Sequence, residues 1–183
     1  MNAARRLLTT ILCLAAPAGA AAQAIEWRLD HRNQPSVLGG VLFEELVATA
    51  SNEFEGSFSG ALADLAVGVP LDDEGGELFL GARLGTGADP DGTGRARRLV
   101  APHLFYRSYA GEEAWKTWFD AGLLLRIEPL VAPSARVGIG VQYDFHENWG
   151  AWAGAGASVG YWDALLVGVD AGVGVQFRFG TAG

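Results

Sequence analysis

The stretch from Val167 to Phe179 reads VGVDAGVGVQFRF. Apolar residues occupy every second position in it, and Gly, Asp, Gln or Arg occupies each position between them. Successive side chains of a β-strand point to opposite faces, whereas the side chains of a helix repeat about every 3.6 residues. An unbroken alternation of this length therefore predicts a strand with one apolar and one polar face.

The same alternation recurs in 136–146 (RVGIGVQYDFH), in 119–128 and in 77–84, and turn-forming sequences separate these segments. Segments of about ten alternating residues separated by turns are typical of a membrane β-barrel. We therefore predict an all-β fold, an antiparallel up-and-down transmembrane β-barrel. Seven strands can be read directly, at 56–69, 76–86, 98–109, 115–128, 135–146, 149–161 and 165–179.

An even number of strands is expected for a bacterial single-chain barrel, so we predict eight. Two segments compete for the remaining strand. Residues 25–32 alternate well, whereas 37–49 has the right spacing but contains LFEEL, which also favours a helix. Pro102 lacks the N–H that a strand interior requires, so we expect either a bulge there or a strand that begins only at His103.

The first 24 residues predict a signal peptide. Arg5 and Arg6 precede an apolar run, and Ala22-Gln23-Ala24 forms a small-x-small cleavage site. We expect 25–183 to be a single barrel domain without cysteine, since Cys13 is the one cysteine of the chain. Loss of two arginines and no acidic residue takes the net charge from −8 to −10, which argues against a nucleic-acid partner.

Alternation alone does not decide which face contacts lipid, because a soluble lipocalin-like carrier would place the apolar face inside. Two features favour the membrane arrangement. The polar face is rich in glycine and the whole chain has a single lysine, Lys116, which suits a narrow interior better than a water-facing surface. Aromatic residues also cluster at strand ends on one side, as an interfacial girdle requires; they are Tyr143, Phe145, Trp149, Phe177 and Phe179.

The polar face carries acidic and basic residues in similar numbers. We predict an interior polar network made of Asp64, Glu77, Arg83, Asp120, Arg126, Glu128, Arg136, Asp144, Asp170 and Arg178. An eight-stranded barrel is just wide enough for side chains to fill, so these charges are expected to pair with each other. The alternative is a narrow channel, in which the same residues line an ion or solute path.

The C-terminal sequence Gly174-Val175-Gln176-Phe177-Arg178-Phe179 resembles the last strand of outer-membrane proteins, and the overall plan resembles small eight-stranded barrels of the OmpA/OmpX type. The resemblance implies a Gram-negative outer membrane, with periplasmic chaperones and the barrel-assembly machinery as partners during biogenesis. Gly174, Phe177 and Phe179 would form the assembly signal, although four residues follow the last aromatic residue. In such barrels the chain ends lie in the periplasm, which places the loop at 86–95 outside the cell.

Catalysis was weighed against a structural role. A lipid A-modifying enzyme needs a nucleophile beside a base, yet none of His31, His103 and His146 has a suitable serine as neighbour in sequence. The turn at 89–94 begins like a calcium loop but lacks the remaining ligands. We therefore predict a non-enzymatic, monomeric barrel without cofactor or metal, acting through external loops and lipid contacts.

A short basic cluster in the outer loop suggests one such contact. Arg95, Arg97 and Arg98 are the only clustered basic residues beyond the signal peptide of an acidic protein. Guanidinium groups bind phosphate with two hydrogen bonds, so we predict contact with the phosphates of lipopolysaccharide. The simpler reading is that these arginines only extend towards the polar edge of the bilayer.

Overall fold

The computed structural model describes residues 34–48, 56–71, 76–88, 96–111, 114–128, 131–161 and 165–180. The predicted signal peptide, the candidate strand 25–32, the turn at 89–94 and Arg95 lie outside the described residues. Within the described part of the chain, no helix is long and apolar enough to span a membrane.

Eight antiparallel strands form a closed barrel in which each strand pairs with its neighbours in sequence and β1 pairs with β8. This confirms the predicted fold. The strands are β1 (Ser36–Ala48), β2 (Gly56–Pro70), β3 (Glu77–Ala88), β4 (Ala96–Ala110), β5 (Trp115–Arg126), β6 (Ala132–His146), β7 (Trp149–Tyr161) and β8 (Leu165–Arg178). We call the end that carries Ser36 and Arg178 the base, and the opposite end the top.

The first strand comes from the candidate segment 37–49, which forms β1 with nearly the predicted bounds. Residues that read as helical in LFEEL alternate instead, with Leu42, Glu44 and Leu46 buried inside and Phe43 and Glu45 exposed outside. The helical reading of this segment is therefore wrong. Pairing with both β2 and β8 along its whole length outweighs the local preference, because only β1 can close the two open edges.

The wall closes with a stagger of ten residues. Paired residues followed once around the barrel from Ser36 lead back to β1 at Leu46, through Gly68, Phe79, Phe105, Gly122, Arg136, Ser158 and Gly168. A stagger larger than the strand number requires strands strongly tilted from the barrel axis. Because the strands are tilted, inward side chains from different positions along their strands lie at the same height in the barrel.

The outward face is apolar around the whole wall. Val41, Leu80, Leu123 and Ile139 from four different strands are 62–66% exposed. Most charged side chains of the strands point inward and are buried, whereas Glu45 and Arg98 are exposed on the outer face. Water would disfavour such a surface, whereas lipid favours it. The soluble carrier with an apolar interior is therefore contradicted.

Exposed aromatic side chains pack against each other at the base. Ring centroids lie 4.8 Å apart for Trp115 and Tyr143, and 4.7 Å apart for Trp149 and Phe177. Phe179 packs edge-on against Phe177 at 4.9 Å. The aromatic residues that the sequence places on one side thus do lie at one end of the barrel, on β5 to β8.

Glycines on the inward face make room for two tryptophans. A Cβ atom on Gly140 or Gly154 would lie 2.3 Å from the ring of Trp118, and one on Gly40 would lie 2.4 Å from the ring of Trp152. Real side chains do not approach so closely. The two tryptophan rings therefore fit into this narrow interior only because glycine occupies the inward positions next to them.

Pro102 interrupts one side of β4. On the β5 side the regular ladder begins only at His103, opposite Leu124. Beyond it comes an isolated bridge between Val100 and Glu128, so two residues of β4 face three of β5 between these pairs. This is one of the two arrangements that the sequence predicts, since a bulge accommodates a residue without an N–H.

Candidate functional site

The candidate site is the filled interior of the barrel. Among the described residues, the buried ionisable groups are the carboxylates of Glu44, Asp64, Glu77, Asp120, Asp144 and Asp170, the cationic groups of Arg83, Arg107, Lys116, Arg126, Arg136 and Arg178, and the imidazole of His103. Six negative and six positive charges balance. They fall into three groups at different heights in the barrel, and each group is itself neutral.

The top group is built around the guanidinium of Arg126. It donates to Glu44 at 2.5 Å and to the hydroxyls of Ser134 and Ser158, each at 2.8 Å. The four side chains come from β5, β1, β6 and β7, so the interactions cross the lumen. Closer to the top, apolar side chains fill the interior and are fully buried, among them Leu46, Phe58, Leu99 and Leu166.

The middle group is a continuous chain of alternating charges. His103 Nε2 lies 2.8 Å from Asp64, whose other carboxylate oxygen lies 3.5 Å from Arg83. Arg83 donates to Asp170 at 3.2 Å, and Asp170 accepts two bonds from Arg136 at 2.8 and 3.1 Å.

Arg136 also joins this chain to β5. Its Nη1 donates to Asp120 at 2.5 Å, and Asp120 accepts from Arg107 on β4 at 3.0 Å. Arg136 thus bridges two carboxylates that would otherwise repel each other. Three arginines and three aspartates alternate in the middle group, which ends in the imidazole of His103.

Arg107 lies in an aromatic box. Its guanidinium carbon lies 3.9 Å from the ring centre of Trp118 and 5.3 Å from those of Phe79 and Phe105, with Trp152 at 5.9 Å. Aromatic faces attract a cation, and the attraction grows when water is excluded. A cavity of about 10 Å³ adjoins this box, which is room for about one water molecule.

The base group links Glu77, Asp144, Lys116 and Arg178. Lys116 Nζ donates to Asp144 at 2.7 Å, and Arg178 reaches Glu77 at 3.4 Å and Asp144 at 3.5 Å. Amide and hydroxyl groups complete the hydrogen bonding: Gln176 donates to Glu77 at 2.7 Å and to Ser36 at 2.9 Å, and Gln142 donates to Asp144 at 2.7 Å. These side chains close the base of the lumen.

The histidines of the described interior and base lie in separate surroundings. No group of three or more potential metal ligands occurs among the described residues. The ring of His103 bonds to a carboxylate, and its Nδ1 has no hydrogen-bond partner. His146 is exposed at the base and accepts a bond from the backbone N–H of Asn148 at 3.3 Å.

The prediction that Glu128 belongs to the interior network is wrong. Glu128 lies exposed beyond the end of β5 at Arg126, so it does not enter the lumen. The alternation continues past Arg126 in sequence, but the strand has already ended at the bulge opposite Pro102. The other predicted members are buried inside; they are Asp64, Glu77, Arg83, Asp120, Arg126, Arg136, Asp144, Asp170 and Arg178.

The basic cluster is divided by the strand. Arg97 and Arg98 are adjacent on β4, so Arg98 is exposed on the outer face whereas Arg97 is half-buried on the inward-facing side. The predicted assembly residues are divided as well. Gly174 faces inward next to Trp152, and Phe177 and Phe179 face outward.

Sequence reasoning missed four ionisable residues of the interior, namely Glu44, His103, Arg107 and Lys116. Glu44 was hidden by the helical reading of β1. On β4 the inward positions mix Leu99, Phe105 and Arg107, so polarity does not separate the two faces there. Lys116 could have been found, because it shares the parity of Asp120 on β5.

Comparison of the sequence with protein-family models and with curated proteins found no match. Among solved structures, the chain is similar to Neisserial surface protein A, with a TM-score of 0.63, 14% identity and coverage of 79% of this chain and 97% of that chain. The N-terminal β-barrel domain of OprF from Pseudomonas aeruginosa gives a TM-score of 0.49, 20% identity and coverage of 81% and 98%. At 14% identity, the likeness to Neisserial surface protein A shows a shared fold alone, and this fold agrees with the predicted eight-stranded barrel.

The top group provides a test of charge pairing inside the lumen. Arg126→Met should lower the free energy of unfolding by about 3–5 kcal/mol, because it leaves the Glu44 carboxylate buried without a counter-charge. The double variant Glu44→Met, Arg126→Met removes both charges and should recover most of this loss. The measurement is urea unfolding in phosphatidylcholine vesicles, followed by tryptophan fluorescence.

The exposed Arg98 gives the matched control for this experiment. Arg98→Met should change the free energy of unfolding by no more than about 0.5 kcal/mol. A double variant as unstable as Arg126→Met alone would contradict the role of pairing in the top group.

Proposed function

We propose that this chain is a non-enzymatic integral protein of the outer membrane of a Gram-negative bacterium, exported with removal of residues 1–24. One observation carries the proposal: apolar side chains cover most of the outside of the closed wall, and most charged side chains of its strands are buried inside it. A β-strand that crosses a bilayer needs about 9–11 tilted residues. The eight strands have 12 to 15 residues each, which is sufficient.

The aromatic residues at the base mark one of the two membrane interfaces of the proposed barrel. An aromatic belt lies at the base, the end at which β1 begins and β8 ends. It consists of Trp115, Tyr143, Trp149, Phe177 and Phe179. Aromatic belts occupy the interface between lipid and water. Because the chain ends of such barrels lie in the periplasm, we propose that the base, where β1 begins and β8 ends, faces the periplasm and that the top faces the cell exterior.

Because the interior is filled, we propose that the functional parts lie on the outside of the barrel. Three neutral groups of paired side chains and an apolar top occupy the lumen, so the parts that can meet partners are the outer loops and the lipid-facing wall. We propose a structural or interaction role through these parts, as a monomer. Periplasmic chaperones and the barrel-assembly machinery are the proposed partners during biogenesis, with Gly174, Phe177 and Phe179 in the last strand as the assembly signal.

We also propose a lipopolysaccharide contact at Arg98. This residue is exposed on the outer face near the top of β4, directly opposite Thr86 on β3. A guanidinium and a hydroxyl side by side can bind the phosphate and sugar oxygens of a lipid headgroup. Arg97 faces the other side of the wall, so it contributes less than its position in the sequence implies.

The membrane location can be tested on SDS gels and by cell fractionation. Protein extracted without boiling should migrate differently from boiled protein and should fractionate with the outer membrane, because a closed hydrogen-bonded wall resists detergent until it is heated. Boiled and unboiled samples of the same fraction provide the control. Recovery in the periplasmic fraction without a mobility shift would contradict the proposal.

The lipid contact can be tested by comparing two neighbouring arginines. Arg98→Ala should weaken binding to lipopolysaccharide micelles roughly fivefold, which corresponds to the loss of about 1 kcal/mol from an exposed charge-assisted contact. Arg97→Ala is the matched control and should bind nearly as the unaltered protein does. Equal loss in both variants, or no loss in Arg98→Ala, would rule out the contact as described.

A further inference from the structure

The seam between β4 and β5 is shorter than every other seam of the described wall. Its regular ladder runs from His103 to Ala110 and covers eight residues of each strand. The other seven seams cover twelve or thirteen. Above the bulge at Pro102, two backbone bonds join the strands: Ile127 N–H donates to Val100 O at 2.8 Å, and Val100 N–H donates to Glu128 O at 3.4 Å.

Side chains reinforce the lower part of this seam. Arg107 on β4 donates to Asp120 on β5 at 3.0 Å and stacks on the ring of Trp118 at 3.9 Å. Near the base, the hydroxyl of Thr117 donates to Ala110 O at 3.2 Å. The lower part of the seam is thus held by the backbone ladder and by polar side chains from both strands.

At the level of the bridge between Val100 and Glu128, the inward side chains differ from those of the lower part. The inward residues of β4 at this level are Leu99 and Ala101, which carry no hydrogen-bonding side-chain group. Across the seam, Arg126 on β5 bonds instead to Glu44, Ser134 and Ser158 on other strands. The two strands are therefore anchored separately above Pro102.

We propose that the upper β4–β5 seam is a hinged part of the wall, which opens locally while the rest of the barrel stays closed. His103 and Leu124, the first regular pair, form the hinge. Opening requires the loss of two backbone bonds, one of them long. Arg126, the nearest buried charge on β5, pairs with Glu44 on β1 rather than with β4. Opening separates Val100 from Ile127 and gives access from the lipid-facing side to Leu99, Ala101 and Arg126.

Amide hydrogen exchange by NMR on the refolded full chain in detergent micelles tests this proposal. The amides of Val100 and Ile127 should exchange at least about tenfold faster than those of Val159 and Val167, which pair near the top of the β7–β8 seam. The amides of Tyr106 and Ala121, paired in the lower part of the β4–β5 seam, should be as protected as those on β7 and β8. Equal protection above and below Pro102 would overturn the proposal.

A single substitution tests the cause. Pro102→Val restores a backbone N–H and keeps an apolar side chain on the outer face, so it should slow exchange at Val100 and Ile127 by about fivefold or more. Tyr106 and Ala121 again serve as the internal control. Unchanged exchange at Val100 and Ile127 in a folded Pro102→Val barrel would overturn the assignment of the hinge to this residue.

Discussion

The constraint on which this structure depends is charge neutrality inside a narrow, closed wall. Six carboxylates and six cationic groups are buried there, and an isolated charge in such surroundings would cost several kcal/mol. The top group contains one carboxylate and one arginine, and the middle group contains three carboxylates and three arginines. The base group contains two carboxylates and two cationic side chains. Each group is therefore neutral by itself.

The stagger of the wall is what allows the groups to form. Glu77 and Arg178 are about a hundred residues apart in sequence, yet they meet at the base because β3 and β8 are tilted to the same level. The same tilt brings Arg126 to Glu44 across the lumen. Between the charged groups, Arg107 bridges polar and apolar regions, since Asp120 neutralises its charge while four aromatic rings surround it.

Alternation alone predicts seven of the eight strands and places Asp64, Arg136 and Asp170 on their polar faces, because a period of two fixes which residues of a strand share a face. It could not predict the pairing of these residues, which depends on the stagger and becomes visible only when the barrel is closed. Glu128 was placed inside because alternation does not show where a strand ends. Glu44 was missed because a local helical pattern competes with pairing to distant strands, and only the structure shows which of the two prevails.

Side chains fill the lumen at every level of the described barrel, and electrical recording tests this most directly. The purified full chain, inserted into planar bilayers at moderate voltage and salt concentration, should give no discrete conductance steps, since the three paired groups and the apolar top leave no continuous water path. Steps of uniform size that require the inserted protein would contradict the account. They would show that the same polar residues line a narrow channel.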